Sequence, residues 1–133
     1  DGMGEYVAHE LIKLMVKKDI PVKRANILVL GITFKENCPD VRNTKVVDIL
    51  HILKDYDTNI TIYDPWAEPA EVMHEYGWNS VKELNGVSDC DAIILAVSHN
   101  EFKTLNLNSL CNDKAVIYDV KGVLPKELSD ARL

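Results

Sequence analysis

Hydrophobic positions follow two different periods along this chain, and the alternation between the periods predicts an α/β fold. Short apolar runs at 25–31, 59–63, 91–97 and 115–118 are typical of β-strands. The runs at 25–31 and 91–97 are apolar at nearly every position, as expected of parallel strands that are buried on both faces. Between the runs, apolar residues recur every three or four positions, which indicates amphipathic helices.

The spacing predicts helices over 3–18, 44–55 and 68–76, and shorter helices over 80–84 and from 98 onwards. The last two begin with Ser followed three residues later by Glu, the pattern of a capping box. A short turn or helix is expected near Pro125, with a tail that frays. The order βαβαβαβ, preceded by one helix, predicts a Rossmann-like, doubly wound parallel sheet.

The polar loop that follows the first strand, within residues 31–43, is the strongest candidate for a ligand site. It lies at the carboxyl end of a parallel strand, and the next helix points its free amides towards it. Gly31 is its only glycine, so the loop is neither a GxGxxG fingerprint nor a P-loop. Bound anions would therefore need Lys35 and Arg42. The alternative is that both are surface cations paired with neighbouring acids.

Residues 31–46, GITFKENCPDVRNTKV, resemble the signature of the C-terminal, UDP-binding domain of the UDP-glucose/GDP-mannose dehydrogenase family. Residues 1–8 resemble the link out of the family's central helical region, and 64–66 and 119–122 fall where the family has similar segments. The loop is most similar to that of the UDP-N-acetylhexosamine branch, including the Vi-polysaccharide type. The resemblance covers essentially the whole chain but only about the last third of such an enzyme.

The resemblance assigns roles to four side chains. It implies that Phe34 and Lys35 contact the UDP-sugar, and that Arg42 contacts NAD, which is bound mainly by the missing N-terminal domain. Lys121 lies near a position where the family often has a basic residue that contacts substrate, although it could equally be a solvated turn residue. Arg42 could instead be structural and bridge Asp40 to the start of the helix.

The resemblance also implies an activity for the full enzyme. Such enzymes oxidise the C6 alcohol of a UDP-sugar to a carboxylate in two NAD-dependent hydride transfers, through a Cys thiohemiacetal. The Gly-x-Phe-Cys-x-Gly segment that carries this Cys is absent from the chain. We therefore expect no catalytic residue here, weak binding of UDP or the UDP-sugar, and no turnover by this chain alone.

The remaining expectations concern domains, substrate and partners. Residues 1–20 are expected to be a helix left from the link to the central region, and residues 21–133 the UDP-sugar-binding domain. UDP-GalNAc or UDP-GlcNAc is favoured over UDP-ManNAc, and the uronic acid would feed a surface polysaccharide. The partners implied are the UDP-sugar, the N-terminal and central domains, and further copies in a homo-oligomer.

Charge, apolar run length and cysteine spacing argue against several classes of function. The net charge is -6 with a pI of about 5.1, and Lys and Arg form no block, which argues against nucleic-acid binding. No apolar run approaches the length of a membrane span. The cysteines at 38, 90 and 111 form no CxxC pair, as expected of reduced thiols in the cytoplasm. No His, Asp and Glu cluster has metal-ligand spacing.

Asp64, His99 and Cys38 are three further side chains of types that often take part in binding or catalysis. Asp64 would bind ribose in a dinucleotide site, but without the glycine fingerprint an Asx turn before Pro65 is favoured. His99 has no recognisable triad partner in the sequence and is expected to be structural or solvated. Cys38 is rejected as a nucleophile because its sequence context differs from that of the family's catalytic Cys. Two other functions stay open: a receiver-like module with Asp64 as switch acid, and an assembly domain.

Overall fold

A five-stranded, entirely parallel sheet forms the centre of the protein, described by a computed structural model for residues 2–133. The strands are β1 (Asn26–Leu30), β2 (Asn59–Tyr63), β3 (Cys90–Leu95), β4 (Cys111–Asp119) and β5 (Ala131–Arg132). Their order is β2-β1-β3-β4-β5, so the strand order reverses between β1 and β3, as in doubly wound sheets. The predicted Rossmann-like fold is confirmed. Asp1, the first residue of the link-like segment, lies outside the described residues.

The two faces of the sheet are covered by different kinds of helix. The α-helices are α1 (Met3–Lys17), α2 (Val46–Asp55) and α3 (Pro69–Tyr76), and short 3₁₀ helices lie at Asn100–Thr104, Leu107–Leu110 and Lys126–Leu128. Side chains alternate along β1: Ile27 and Val29 join the core under the α-helices, and Leu28 and Leu30 join the core under the 3₁₀ segments. Among the described residues, no helix combines the length and the apolar character that crossing a membrane requires.

Helix α1 packs on the same core as the rest of the domain. Its side chains Val7, Leu11 and Met15 are fully buried, together with residues of α2 and β4. Gly4 allows α1 to approach α2 closely, because a Cβ there would lie 2.7 Å from the Cβ of Asp48. The apolar stripe of α1 therefore forms part of this core. The domain boundary expected near residue 20 stays a prediction.

The predicted helix over residues 80–84 is wrong. Val81 instead forms an isolated parallel bridge with Tyr63 at the edge of β2. The Val81 amide donates to the carbonyl of Ile62, and the Asp64 amide donates to the carbonyl of Val81, both at 2.9 Å. These sheet-type bonds use the backbone groups that a helix would need, so the capping-box pattern at Ser80 is overridden by tertiary pairing.

The segment after β3 is helical but differs in type and start from the prediction. A 3₁₀ helix begins at Asn100, and His99 at its N-cap position makes no capping bond through its side chain. The imidazole points inwards and is fully buried. The Ser-x-x-Glu pattern therefore identified a helix start, whereas the residue of structural importance there is His99.

The last strand, β5, is held by Asp130. The Asp130 carboxylate accepts the Ile117 amide at 2.8 Å and pairs with the Lys18 ammonium at 2.9 Å. This strand has only two residues and was not predicted, because it carries no periodic signal.

We expect Asp130→Ala to lower the free energy of unfolding by about 1 kcal/mol, since the Ile117 amide loses its side-chain acceptor. Amide hydrogen exchange is expected to show faster exchange at Ile117 and along β5. Glu127→Ala provides the control, because Glu127 is also an exposed acid near the C-terminus. An equal loss of stability in both variants would contradict the role of Asp130.

Candidate functional site

A cavity of about 150 Å³ opens at the carboxyl ends of β1, β3 and β4. This position follows from the topology, because doubly wound sheets leave a crevice where the strand order reverses. The loop after β1, the start of α2 and the segments after β3 and β4 meet there. The lining residues are Met3, Thr33, Phe34, Asn43, Thr44, Lys45, Val46, Ile49, Ala96, Val97, Val120 and Lys121.

Two of the predicted substrate-binding residues, Phe34 and Lys121, line this cavity from opposite loops. Phe34 is 57% exposed, so its ring is accessible to a ligand at the opening. Lys35 follows Phe34 at the rim, outside the cavity lining, and is exposed. Within residues 2–133, the ammonium groups of Lys35 and Lys121 make no recorded hydrogen bond or ion pair. An aromatic face and two available cations therefore surround the opening.

The start of α2 adds polar groups beside the cavity. The hydroxyl of Thr44 accepts the Val46 amide at 3.3 Å and donates to the carbonyl of Thr33 at 3.4 Å, so it binds the first amide of α2 and ties this helix to the loop. Lys45, the next residue, also lines the cavity. No pattern in the sequence marked it as a site residue. The amide-rich end of a ten-residue helix thus lies beside the cavity, where it favours negative charge.

Arg42 lies on a different side of the loop. Its guanidinium pairs with the Asp40 carboxylate, with Nε 3.1 Å from Oδ1, and this hydrogen bond lowers the pKa of Asp40. It borders a separate hollow that includes Glu71 and Glu75 of α3. Among the described residues, the surroundings of Arg42 are acidic and do not by themselves fit a diphosphate. The pairing of Arg42 with Asp40, which is one half of the structural alternative, agrees with these contacts.

Beneath the loop, the Asp64 carboxylate forms the most densely hydrogen-bonded group of the site. Its Oδ2 accepts the amides of Ile32 at 2.7 Å and Thr33 at 3.2 Å. Its Oδ1 accepts the amides of Trp66 at 2.8 Å and Ala67 at 3.1 Å, which forms the predicted Asx turn.

The fifth contact of Asp64 is His99, whose Nε2 lies 3.0 Å from Oδ2. Both side chains are fully buried. Burial raises the pKa of Asp64, but the hydrogen bonds from His99 and from the Ile32 amide outweigh it, so the pKa lies below its usual range. A carboxylate held in this way has no oxygen open to solvent, which argues against the receiver-like alternative.

The Thr33, His99 and Asp64 side chains do not form a nucleophilic triad. Thr33 Oγ1 lies 3.1 Å from Nε2 of His99, the same nitrogen that faces Asp64. A triad needs the nucleophile and the acid on opposite ring nitrogens. Within the part of the chain that the structure describes, no group of His, Cys, Asp and Glu side chains is arranged to hold a metal ion.

Comparison with known families gives a match over most of the chain. The model of the UDP-glucose/GDP-mannose dehydrogenase family, UDP binding domain, matches residues 28–126. A UDP-N-acetyl-D-glucosamine 6-dehydrogenase of Salmonella typhi is 48% identical over 136 aligned positions, covering 100% of this chain and 32% of the relative. Its namesake from Pseudomonas aeruginosa is 46% identical with the same coverage. The chain spans about a third of the length of these curated relatives.

Solved structures agree in fold. A UDP-D-ManNAc dehydrogenase of Pyrococcus horikoshii superposes with a TM-score of 0.78 at 24% identity, covering 98% of this chain and 30% of that structure. An NDP-N-acetyl-D-galactosaminuronic acid dehydrogenase of Methanosarcina mazei gives 0.80 at 18% identity, with 94% and 26% covered. At these identities the likeness concerns the fold alone.

Proposed function

Because this chain belongs to the UDP-glucose/GDP-mannose dehydrogenase family through its UDP binding domain, we propose that the cavity beside Phe34 holds the nucleotide of a UDP-N-acetylhexosamine. The observation that carries the proposal is the convergence of Phe34, Lys121 and the start of α2 on one opening. An aromatic face suits stacking of a uracil ring. Ammonium groups and free helix amides suit a diphosphate.

The size of the cavity limits how much ligand it encloses. Small-molecule sites usually have about 300 Å³ or more, twice the volume of about 150 Å³ here. We infer that this chain encloses one part of the nucleotide, and that the rest extends across the rim towards Lys35. This arrangement fits a site that is completed by other parts of a larger enzyme.

The whole enzyme is proposed to oxidise the C6 alcohol of the sugar to a uronate in two hydride transfers to NAD. The names of the similar relatives from Salmonella typhi and Pseudomonas aeruginosa favour UDP-N-acetylglucosamine among the N-acetylhexosamines. The loop after β1 lacks the GxGxxG fingerprint, so we propose that other domains bind NAD and that Arg42 contributes at most one contact. Arg42 would have to exchange Asp40 for the cofactor.

The proposed setting is a cytoplasmic enzyme in which this domain joins N-terminal and central domains in a homo-oligomer. Cys38, Cys90 and Cys111 are free thiols, in keeping with a reducing compartment. Burial raises the pKa of Cys111 to about 11, so that thiol stays protonated and unreactive at neutral pH. Residues 1–20 are proposed to lead from the central domain, although α1 itself shares the core of this domain.

Calorimetric titration of the 133-residue chain with UDP, uridine and NAD tests the proposal. We expect Lys35→Ala and Lys121→Ala each to weaken UDP binding about tenfold, because each removes a charge-assisted contact to phosphate. Uridine binding is expected to be unchanged, since uridine carries no phosphate.

Lys23→Ala serves as the control, because Lys23 is an exposed lysine that precedes β1, at the opposite end of the strand from the cavity. If Lys23→Ala weakened UDP binding as much as the other two variants, the effect would be one of overall charge. If the unaltered chain bound NAD and not UDP, the proposed function would be wrong.

A further inference from the structure

Two loops at the carboxyl edge of the sheet exchange hydrogen bonds in a reciprocal manner. The Asn37 amide, in the loop after β1, donates to Nδ1 of His99 at 2.9 Å. The Asn100 amide, in the segment after β3, donates to Oδ1 of Asn37 at 3.0 Å. Each loop thus supplies a side-chain acceptor for a backbone amide of the other, and we call this pair of bonds the clasp.

The clasp selects one tautomer of the neutral His99 ring. Because Nδ1 accepts the Asn37 amide, it carries no proton, and the proton of the neutral ring lies on Nε2. Nε2 faces the Asp64 carboxylate at 3.0 Å. Trp66 stacks on the ring with a centroid distance of 6.0 Å, and Phe102 lies on it at 5.3 Å. Both nitrogens and both neighbouring aromatic rings therefore hold the imidazole in one orientation.

The clasp also fixes the far end of the segment that carries Phe34 and Lys35. Before this segment, the amides of Ile32 and Thr33 are held by Asp64. After it, Asn37 has a φ of 53°, a left-handed conformation that Asn tolerates better than most residues, and its amide is held by His99. Phe34, Lys35 and Glu36 are exposed residues between two points where buried side chains, Asp64 and His99, hold the backbone.

We propose that His99 is a positioning residue for the nucleotide site, which acts through the clasp to hold Phe34 and Lys35 in the conformation that binds UDP. The inference rests on the proposed function. Its physical basis is preorganisation: a loop that is already ordered loses less conformational entropy when the ligand binds. His99 itself is fully buried and does not reach the cavity lining.

Two substitutions separate the bond that His99 accepts from the Asn37 amide from the bond that it donates to Asp64. His99→Asn places an amide oxygen near the position of Nδ1, where it accepts the Asn37 amide, but it loses the contact to Asp64. His99→Gln places an amide nitrogen near the position of Nε2, where it donates to Asp64, but it leaves the Asn37 amide without its acceptor. We expect His99→Gln to weaken UDP binding roughly tenfold and His99→Asn to weaken it about threefold or less.

The free energy of unfolding is expected to rank the two variants in the opposite order from their affinity for UDP. His99→Gln keeps the bond to the buried carboxylate and is the more stable, whereas His99→Asn leaves Asp64 with one bond fewer. A purely structural role of His99 would make affinity follow stability, so that His99→Asn binds worse. That result, or equal affinity in the two variants, would overturn the proposal.

Hydrogen exchange at the Asn37 amide, without ligand, tests the clasp independently of UDP. Slow exchange is expected in the unaltered chain and in His99→Asn, and fast exchange in His99→Gln; equal protection in all three would overturn the clasp. If the unaltered chain does not bind UDP, the proposed function and the binding role of His99 both fail, whatever the exchange shows.

Asn37→Gly, which keeps the left-handed backbone and removes Oδ1, is the variant to use if substitution at His99 prevents folding. A severalfold loss of UDP affinity is expected for this variant. Unchanged affinity in Asn37→Gly would count against the proposal.

Discussion

Replacing Gly31 by alanine is expected to lower the free energy of unfolding by about 3 kcal/mol. Gly31 has a φ of 99°, where a side chain strains the backbone. A Cβ there would also lie 2.5 Å from the Cβ of Val97 and 3.0 Å from its backbone nitrogen. Both of these Val97 atoms belong to the backbone or are attached directly to it, and neither can rotate away. The clash is therefore relieved only if β1 or the segment after β3 moves. Chemical denaturation of Gly31→Ala measures the loss.

Gly86→Ala is the matched control for this prediction. Gly86 also has a positive φ, 76°, but a Cβ there would meet no atom within 4 Å. It therefore measures the backbone strain alone, for which about 1 kcal/mol is expected. If both variants lost the same stability, close packing against Val97 would not be the reason for glycine at position 31.

Substitution of Asp64 by alanine is expected to lower the free energy of unfolding by about 4 kcal/mol. The change removes a fully buried carboxylate, leaves four backbone amides without their side-chain acceptor and takes away the anionic partner of His99 Nε2. These amides belong to the loop after β1 and to the turn after β2, so both segments lose their anchor. Equilibrium unfolding in urea, followed by circular dichroism, measures the effect.

The pH dependence of stability gives an independent check on Asp64. The pKa of its carboxyl is lower in the folded protein than the usual value. Its contribution is therefore complete above about pH 4, the range of the unfolded carboxyl, and is lost as the pH falls through the folded-state pKa. Asp64→Asn has the same shape and no titrating group. As the pH falls below about 4, the unaltered chain is expected to lose more stability than Asp64→Asn, and parallel curves would contradict this role.

Local patterns predicted most of the fold because local physics determines those elements. The runs around Leu28 and Ile93 are apolar on both sides, and only a parallel strand covered on both faces buries them fully. Where the prediction failed, distant groups had taken over the backbone bonds. Val81 pairs with Tyr63 instead of starting a helix, and β5 exists because Asp130 and its neighbours find partners on β4.

The candidate site was predicted in part. The topology brings Phe34 and Lys121 to one opening, as the loop positions at the ends of parallel strands suggested. The pairing of His99 with Asp64 had no sequence signal, because the two residues are far apart in the chain and meet only once β1 lies between β2 and β3. The placement of Arg42 depends equally on α3, which presents Glu71 and Glu75 beside it.

The strand order has a consequence for the way the chain folds. Each pairing in the sheet joins parallel strands, so none can form as a local hairpin. The interior strand β1 gains its second neighbour only when Ile27 meets Ala92, after α2, β2 and α3 have been bridged. Loop closure over such separations slows folding. Until that closure, the apolar edge of β1 has no partner, so we expect exposure to aggregation to be greatest before β3 pairs with β1.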